Sequence, residues 1–197
     1  MSIICTDKDA LESFLRDNLK ESRYRHSLGV EDMAVRLAGL HGGDVEKAAF
    51  AGRYHDIAKN FDQDRMDECV RKYGLDEYLL GNNALAHSKV GAAVLEHEFG
   101  VTDEDILNAV RFHTTARKGM SLLEQIVFTA DVVEDNRTYS DLEYYQQLAY
   151  RDLDQASLEI LEYTCGDLKE KGREIDTDTI EARDWIREKI KEKNNGK

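Results

Sequence analysis

The sequence contains no proline and only three cysteines among 197 residues. Without proline, no residue is barred from a helix interior, and strong helix formers such as alanine, leucine, glutamate and lysine are frequent. Cys5, Cys69 and Cys165 are odd in number, far apart and outside any CxxC spacing, so we expect reduced thiols and no disulfide framework. The sequence therefore predicts an all-α protein.

Positive charge and long apolar runs are also scarce. The chain has 27 Lys and Arg against 40 Asp and Glu, a net charge of −13, which repels nucleic-acid phosphates and anionic membranes. No apolar run approaches the roughly 20 residues of a membrane span, and the first residues do not resemble a secretion signal. We expect no nucleic acid partner, no membrane partner and a cytoplasmic location. A small anionic substrate is still compatible if a metal ion reverses the local sign of the charge.

Amphipathic periodicity divides the chain into helices. A chain of 197 residues with 41% hydrophobic content suits one domain. Helices are expected to begin at two acidic caps, Thr6 to Asp9 and Thr102 to Asp105, at Ser22, and at Ser121, which should form a capping box with Glu124. Further helices are expected over about 23–41, 45–58, 62–73, 84–99, 141–150, 152–171 and 178–194.

A histidine and an aspartate, His55 and Asp56, end a small apolar run from Ala48 to Gly52. A helix that is apolar on most sides is normally buried, and charged residues are seldom buried without a partner or a metal ion. An imidazole nitrogen and a carboxylate oxygen together suit Fe, Mn, Zn or Mg. The pair alone equally fits a helix-terminal histidine beside a solvated aspartate, so a metal site requires ligands from elsewhere in the chain.

Other histidines and one aspartate lie on apolar helix faces. His26 shares its face with Val30, and His113 ends the face that begins at Ile106. Asp131 directly follows an apolar run, where a lone carboxylate would be very costly. Each histidine alone is more often a hydrogen-bonded core residue than a ligand. Taken together, six candidates predict one metal site: His26, His55, Asp56, His87, His113 and Asp131.

The order His, His-Asp, Asp formed by His26, His55-Asp56 and Asp131 resembles the HD superfamily of metal-dependent phosphohydrolases. Several local strings resemble its bacterial YqeK-type branch, the symmetrical bis(5'-nucleosyl)-tetraphosphatases. These strings are Arg25-His26-Ser27, Ala51-Gly52, His55 to Lys59, Ala86-His87-Ser88, Phe112 to Thr115, Met120-Ser121 and Ala130 to Arg137. The chain departs from that branch at Ala116 and Asp135, where glycine and proline are usual.

The resemblance implies an HD-domain helical bundle with additional C-terminal helices. It suggests a single HD-type domain over 1–197, with a metal-binding core over about 22–138 and a helical cover over about 139–197. It implies hydrolysis of diadenosine tetraphosphate to two ADP molecules, with iron as the metal (Mn, Zn and Mg being alternatives) and one or two ions. The expected partner is a small-molecule dinucleoside polyphosphate or ADP. The tyrosine-rich C-terminal helices leave a homodimer open.

Residue roles follow from the same resemblance. His26, His55, Asp56 and Asp131 would hold the metal ion, while His87 and His113 would hold a second ion or contact phosphate. The expected catalytic residues are Asp56, Lys59 and His113. The expected substrate contacts are Arg23, Asp56, Ile57, Ala58, Lys59, His87, His113, Thr114, Asp131 and Arg137, with Glu174 to Thr179 closing over the nucleoside. A bound metal ion lowers the pKa of its water to about 7 and so provides a hydroxide nucleophile next to phosphorus.

Two other functions stay open at this point. One is another HD-type nucleotide phosphohydrolase, either a nucleoside monophosphatase or a cyclic nucleotide phosphodiesterase. The other is a non-catalytic, nucleotide-sensing metal-binding module, which would bind nucleotides without turnover. ADP as the sole product from diadenosine tetraphosphate would separate the first hypothesis from both alternatives.

Overall fold

The computed structural model describes residues 7–195, and within this range the chain forms ten α-helices. They are α1 (Lys8–Asn18), α2 (Glu21–His41), α3 (Val45–Tyr54), α4 (Gln63–Lys72), α5 (Asn83–Phe99), α6 (Glu104–Phe112), α7 (Leu122–Val133), α8 (Leu142–Arg151), α9 (Leu153–Glu170) and α10 (Thr177–Asn195). Over these residues there is no strand, so the all-α prediction is confirmed. None of the helices described is both long and apolar enough to cross a membrane. Cys5 lies outside the described residues.

Side-chain caps begin helices α1, α6 and α7 as predicted, but Ser22 lies inside α2, which begins at Glu21 without a side-chain cap. Asp7 accepts a hydrogen bond from Ala10 N at the start of α1, and Asp103 accepts from Ile106 N at the start of α6. Ser121 and Glu124 form the predicted capping box at α7. These side chains satisfy backbone N–H groups that have no partner inside the first turn of a helix.

The predicted helix over 45–58 is too long. Helix α3 ends at Tyr54, and tight turns follow because Ile57 N donates to Tyr54 O and Lys59 N donates to Asp56 O. His55 and Asp56 therefore lie in a turn that follows the helix, where neighbouring side chains are free of the 100° spacing of a helix. The predicted helix over 152–171 is present as α9, which runs without a break through Gly166.

Helices α2, α3, α6 and α7 pack against one another at the centre of the bundle. Helix α5 packs on α6, α9 packs on α7, and α8 and α10 both pack on α9. Helix α7 is buried from Leu123 to Ala130, and its polar side chains are paired: Gln125 Nε2 and Thr129 Oγ1 contact Ser157 Oγ at 3.1 and 3.0 Å. These hydrogen bonds attach the C-terminal helices to the helix that carries Asp131.

Helices α2 and α3 approach each other at Gly52. A Cβ atom at this position would lie 3.0 Å from both Val30 O and Glu31 Cα, which are backbone atoms of α2. The close approach brings the imidazole rings of His26 and His55 to a centroid distance of 5.3 Å. Glycine at position 52 therefore sets the spacing of two predicted ligands.

We predict that Gly52→Ala destabilises the protein and that Gly39→Ala does not. The added methyl at position 52 meets backbone that cannot move aside, and overpacking of this kind costs about 1–3 kcal/mol. Gly39 also lies inside a helix, but a methyl group there would have no neighbour within 4 Å, so its substitution should add about 1 kcal/mol of stability through helix propensity. The free energies of unfolding in urea test this pair, and equal stabilisation by both substitutions would contradict the close contact.

Candidate metal centre

Two helices and one turn bring the four predicted metal ligands together. His26 lies on α2, Asp131 on α7, and His55 and Asp56 in the turn after α3. His26 Nε2 lies 2.9 Å from Asp131 Oδ1. His55 Nε2 lies 3.7 Å from the same oxygen and 3.4 Å from Asp56 Oδ2. Ligand atoms of His26, His55 and Asp131 all lie within 4.8 Å of one another, a spacing that could accommodate a metal ion.

Three polar atoms in or beside this cluster lack hydrogen-bond partners. His26 Nε2, His55 Nε2 and Asp56 Oδ1 are buried and make no hydrogen bond. A buried polar atom without a partner costs about 1–3 kcal/mol. Imidazole nitrogens and carboxylate oxygens that converge in this way are a suitable donor set for a divalent cation such as Fe, Mn or Zn. The residues therefore fit a metal ion.

The remaining ring nitrogens orient the two histidines. His55 Nδ1 lies 2.7 Å from Gly52 O, and since a carbonyl oxygen only accepts, this nitrogen must donate. His26 Nδ1 lies 3.1 Å from Glu134 Oε1. A hydrogen bond at Nδ1 leaves Nε2 as the ligand atom and fixes the plane of the ring.

Glu134 is a functional candidate that the sequence did not single out. Its side chain is 1% exposed, and besides contacting His26 it accepts a hydrogen bond from Asn136 N at 2.7 Å. Any side chain larger than hydrogen at Gly29 would collide with the Glu134 carboxylate. Its position in the sequence could have indicated a role. Glu134 lies three residues after Asp131 at the end of a buried helix, and a carboxylate there needs a partner.

The surroundings keep both aspartates ionised. Burial by itself would raise the pKa of Asp56, but the nearby imidazoles, His55 first and then His113 and His87, bring it well below its usual value. Burial likewise acts against ionisation of Asp131, whereas His26 and His55 lower its pKa. Ionised carboxylates are the form that binds a cation.

A second group of side chains meets the other oxygen of Asp56. Asp56 Oδ1 lies 3.4 Å from His87 Nε2 and from His113 Nε2, and these two nitrogens are 3.2 Å apart. The Nδ1 atoms of the two rings face the carbonyls of Asn83 and Val110, to which they must donate. In neutral rings both Nε2 atoms are therefore acceptors that face each other. Two facing acceptors need a donor or a cation beside them, and Lys59 Nζ, 3.0 Å from His87 Nε2, is one such group.

Three side-chain cations surround this buried cluster, and each contacts one of the predicted ligands. They are Lys59 at His87 Nε2 (3.0 Å), Arg23 at Asp56 Oδ2 (2.9 Å) and Arg137 at Asp131 Oδ1 (2.8 Å). Their side chains are 29 to 33% exposed. In a chain of net charge −13 they form a local positive region that can attract an anion.

Two of the predicted substrate contacts, Ile57 and Ala58, cannot be made by side chains. The side chains of Ile57 and Ala58 are fully buried, so only their backbone atoms could face a substrate. Thr114 is half-buried, with Oγ1 3.1 Å from His87 Nε2. Ala116, where the resembling branch usually has glycine, has a φ of 57°, a left-handed conformation that glycine adopts at lower cost.

A pocket of about 440 Å³ lies next to the segment that we expected to close over a nucleoside. It is lined by Tyr78, Asn82, Leu85 and the stretch 174–178. Asn82 and Leu85 belong to the start of α5, the helix that also carries His87. We name it the α10 pocket, after the helix that begins at Thr177.

Comparisons with known proteins agree with this geometry. Residues 23–136 match the HD domain family. The chain is 36% identical to the symmetrical bis(5'-nucleosyl)-tetraphosphatase of Bacillus subtilis, over 87% of this chain and 93% of that one. It is 40% identical to the protein of the same name from Halalkalibacterium halodurans, over 84% and 89%. A crystal structure from Clostridium acetobutylicum, described as a predicted HD superfamily hydrolase involved in NAD metabolism, superimposes with a TM-score of 0.89 at 38% identity and covers 94% of this chain and 100% of that one.

We predict that Asp56→Ala loses both metal and turnover. The substitution removes a carboxylate whose two oxygens face two different groups of histidines, so bound metal should fall about a hundredfold or more at equal free metal. Metal analysis of anaerobically purified protein measures the loss. Asp17→Ala, an equal charge change at an exposed position of α1, serves as the control. Full metal content in Asp56→Ala would contradict the proposed site.

We predict that Glu134→Gln weakens metal binding without unfolding the chain. The amide keeps the shape of the side chain but lacks the negative charge that strengthens His26 as a ligand, so the Kd for Mn²⁺ should rise about 10–100-fold. Glu124→Gln is the matched control, because Glu124 is also buried on α7 but pairs with Arg117. The control should lose stability and keep its metal affinity. Equal metal affinities in the two variants would show that Glu134 does not position His26.

Proposed function

Because the chain belongs to the HD-domain family, and within it to the symmetrical bis(5'-nucleosyl)-tetraphosphatases, we propose that it hydrolyses diadenosine tetraphosphate to two ADP molecules. The observation that carries this function is the placement of Asp56, whose Oδ2 faces His55 and whose Oδ1 faces His87 and His113. A buried carboxylate between two groups of imidazoles, with cations at its edge, suits the binding of metal and polyphosphate together.

Iron is the metal we propose, with Mn, Zn and Mg as alternatives. His26, His55, Asp56 and Asp131 would hold the first ion. The facing acceptors of His87 and His113, together with Asp56 Oδ1, favour a second ion over a single one. When bound, such ions lower the pKa of a water molecule and polarise phosphoryl oxygens.

Among the chain's own groups, Asp56 and His113 act as acceptors. Asp56 Oδ1 has no hydrogen bond of its own, so where it does not hold a second ion it can receive a proton from a water molecule beside it. His113 donates through Nδ1 to Val110 O, and burial lowers its pKa to about 4. This imidazole is therefore neutral near pH 7. It suits ligation or proton acceptance better than stabilisation of negative charge on the leaving ADP.

The stabilisation of the leaving ADP then rests on the side-chain cations. Lys59 Nζ lies 3.9 Å from Asp56 Oδ1 and 3.0 Å from His87 Nε2, next to the position where a phosphate oxygen would meet the ligands. Arg23 and Arg137 lie on the Asp56 Oδ2 and Asp131 side of the cluster. Charged donors fixed on both sides of the reacting phosphates are the principal means by which proteins accelerate phosphoryl transfer.

We predict that the metal-loaded protein converts diadenosine tetraphosphate to ADP as the only nucleotide product. Treatment with a chelator should abolish turnover, and iron or manganese should restore it. Chromatography of the products at early time points tests this result. AMP together with ATP would indicate asymmetric cleavage and contradict the assignment, and tight nucleotide binding without turnover would favour a sensor module.

A further inference from the structure

A second pocket adjoins the metal centre on the side of Asp131. It has a volume of about 420 Å³, and its walls include Arg137, Tyr139, Tyr145, Ile160 and Tyr163. We name it the tyrosine pocket. Its size falls within the 300–1,000 Å³ that is usual for small-molecule sites. Helix α8, helix α9 and the segment between α7 and α8 contribute its lining.

The aromatic side chains of the tyrosine pocket are unusually accessible. Tyr163 is 68% exposed and Tyr139 is 38% exposed. The Tyr139 hydroxyl donates to Val132 O at 2.8 Å, and its ring meets that of Tyr145 edge to face, with 6.4 Å between ring centroids. Exposed aromatic rings grouped around a cavity mark a binding surface more often than a solvated one.

Arg137 connects the tyrosine pocket to the proposed metal ligands. It lines the pocket and donates to Asp131 Oδ1 at 2.8 Å. Val132, the residue that follows Asp131, also lines the pocket. A ligand in this pocket therefore lies beside a guanidinium group that can bind phosphate, which in turn lies beside the metal centre.

The two pockets lie at different ends of the ligand cluster. The tyrosine pocket adjoins Asp131, which contacts His26. The α10 pocket adjoins the start of α5, which carries His87. Asp56 lies between these ends, because one of its oxygens faces His26 and the other faces His87.

We propose that the tyrosine pocket binds the second nucleoside of a dinucleoside tetraphosphate, while the α10 pocket binds the first. This inference rests on the function proposed above. Symmetrical cleavage breaks the link between the second and third phosphates, so a nucleoside diphosphate lies on each side of the bond that breaks. A protein that holds both halves needs a nucleoside site at each end of its metal centre.

The chemistry of the tyrosine pocket fits a nucleoside. Aromatic rings stack on bases with little dependence on sequence, and Tyr139, Tyr145 and Tyr163 supply such rings. Asp141 and Thr164, which also line the pocket, carry oxygens that can accept hydrogen bonds from ribose hydroxyls or from an exocyclic amine. Arg137, the cation of the pocket, lies beside Asp131, on the side where the phosphates of a bound nucleotide would lie.

Tyr163→Ala tests the inference, because an exposed side chain can be removed without loss of the fold. We expect the KM for diadenosine tetraphosphate to rise about tenfold, the loss of one stacked base, with kcat within twofold of the unchanged chain. Calorimetric titration of the metal-loaded protein with ADP should give two sites per chain before the substitution and one after it. Tyr163→Phe, which keeps the ring, should retain both sites.

Leu40→Ala is the control. It removes another exposed side chain (59% exposed), near the end of α2, and should change neither the KM nor the number of ADP sites. An unchanged KM together with two ADP sites in Tyr163→Ala would overturn the inference. Dissociation of an oligomer in Tyr163→Ala, with an unchanged KM, would also overturn the inference, because the tyrosines would then face a second copy of the chain. If the unsubstituted protein fails to cleave diadenosine tetraphosphate, the proposed function falls, whereas the number of ADP sites still decides the role of the pocket.

Discussion

The candidate metal centre is arranged around the buried carboxylate of Asp56. It is 1% exposed, and its oxygens face the imidazoles of His55, His87 and His113. Removing a carboxylate from water is very unfavourable unless charge and hydrogen bonds replace the water. The histidines and the guanidinium of Arg23 replace that water. A cation held by this donor set would add to their effect. The surrounding apolar helices fix where each of these groups must lie.

The backbone meets this requirement at two points. Glycine at position 52 lets α3 approach the backbone of α2, and the chain then leaves the helix so that His55 and Asp56 can point towards one place. Helix α7 brings Asp131 from the other side, and α7 is itself held in the core by hydrogen bonds to Ser157. Each proposed ligand therefore comes from an element fixed by packing, which is what a metal site needs to keep its geometry.

The helices and most of the site could be predicted because both leave a periodic signal. His26 and His113 occupy apolar faces that repeat at helical spacing, and the caps at Asp103 and Ser121 have recognisable side chains. The turn after α3 could not be located, since neither glycine nor proline occurs between Arg53 and Asn60 to end the helix. Glu134 carried no periodic signal either. Its role emerges only when α2 and α7 are placed side by side.

The tyrosines of the C-terminal third show a different limit of the sequence. Tyr139, Tyr145 and Tyr163 alternate with polar residues, a pattern that fits a covering helix as well as a binding surface. The packing of α8 against α9 decides which of these rings remain exposed to solvent. Local sequence patterns do not predict that packing. The same consideration explains how an acidic chain can bind a polyphosphate. Net charge acts over the whole surface and is screened beyond about 8 Å at physiological salt. Arg23, Lys59 and Arg137 act at contact distance from the ligand cluster, so their position, which the fold determines, outweighs the overall charge of the chain.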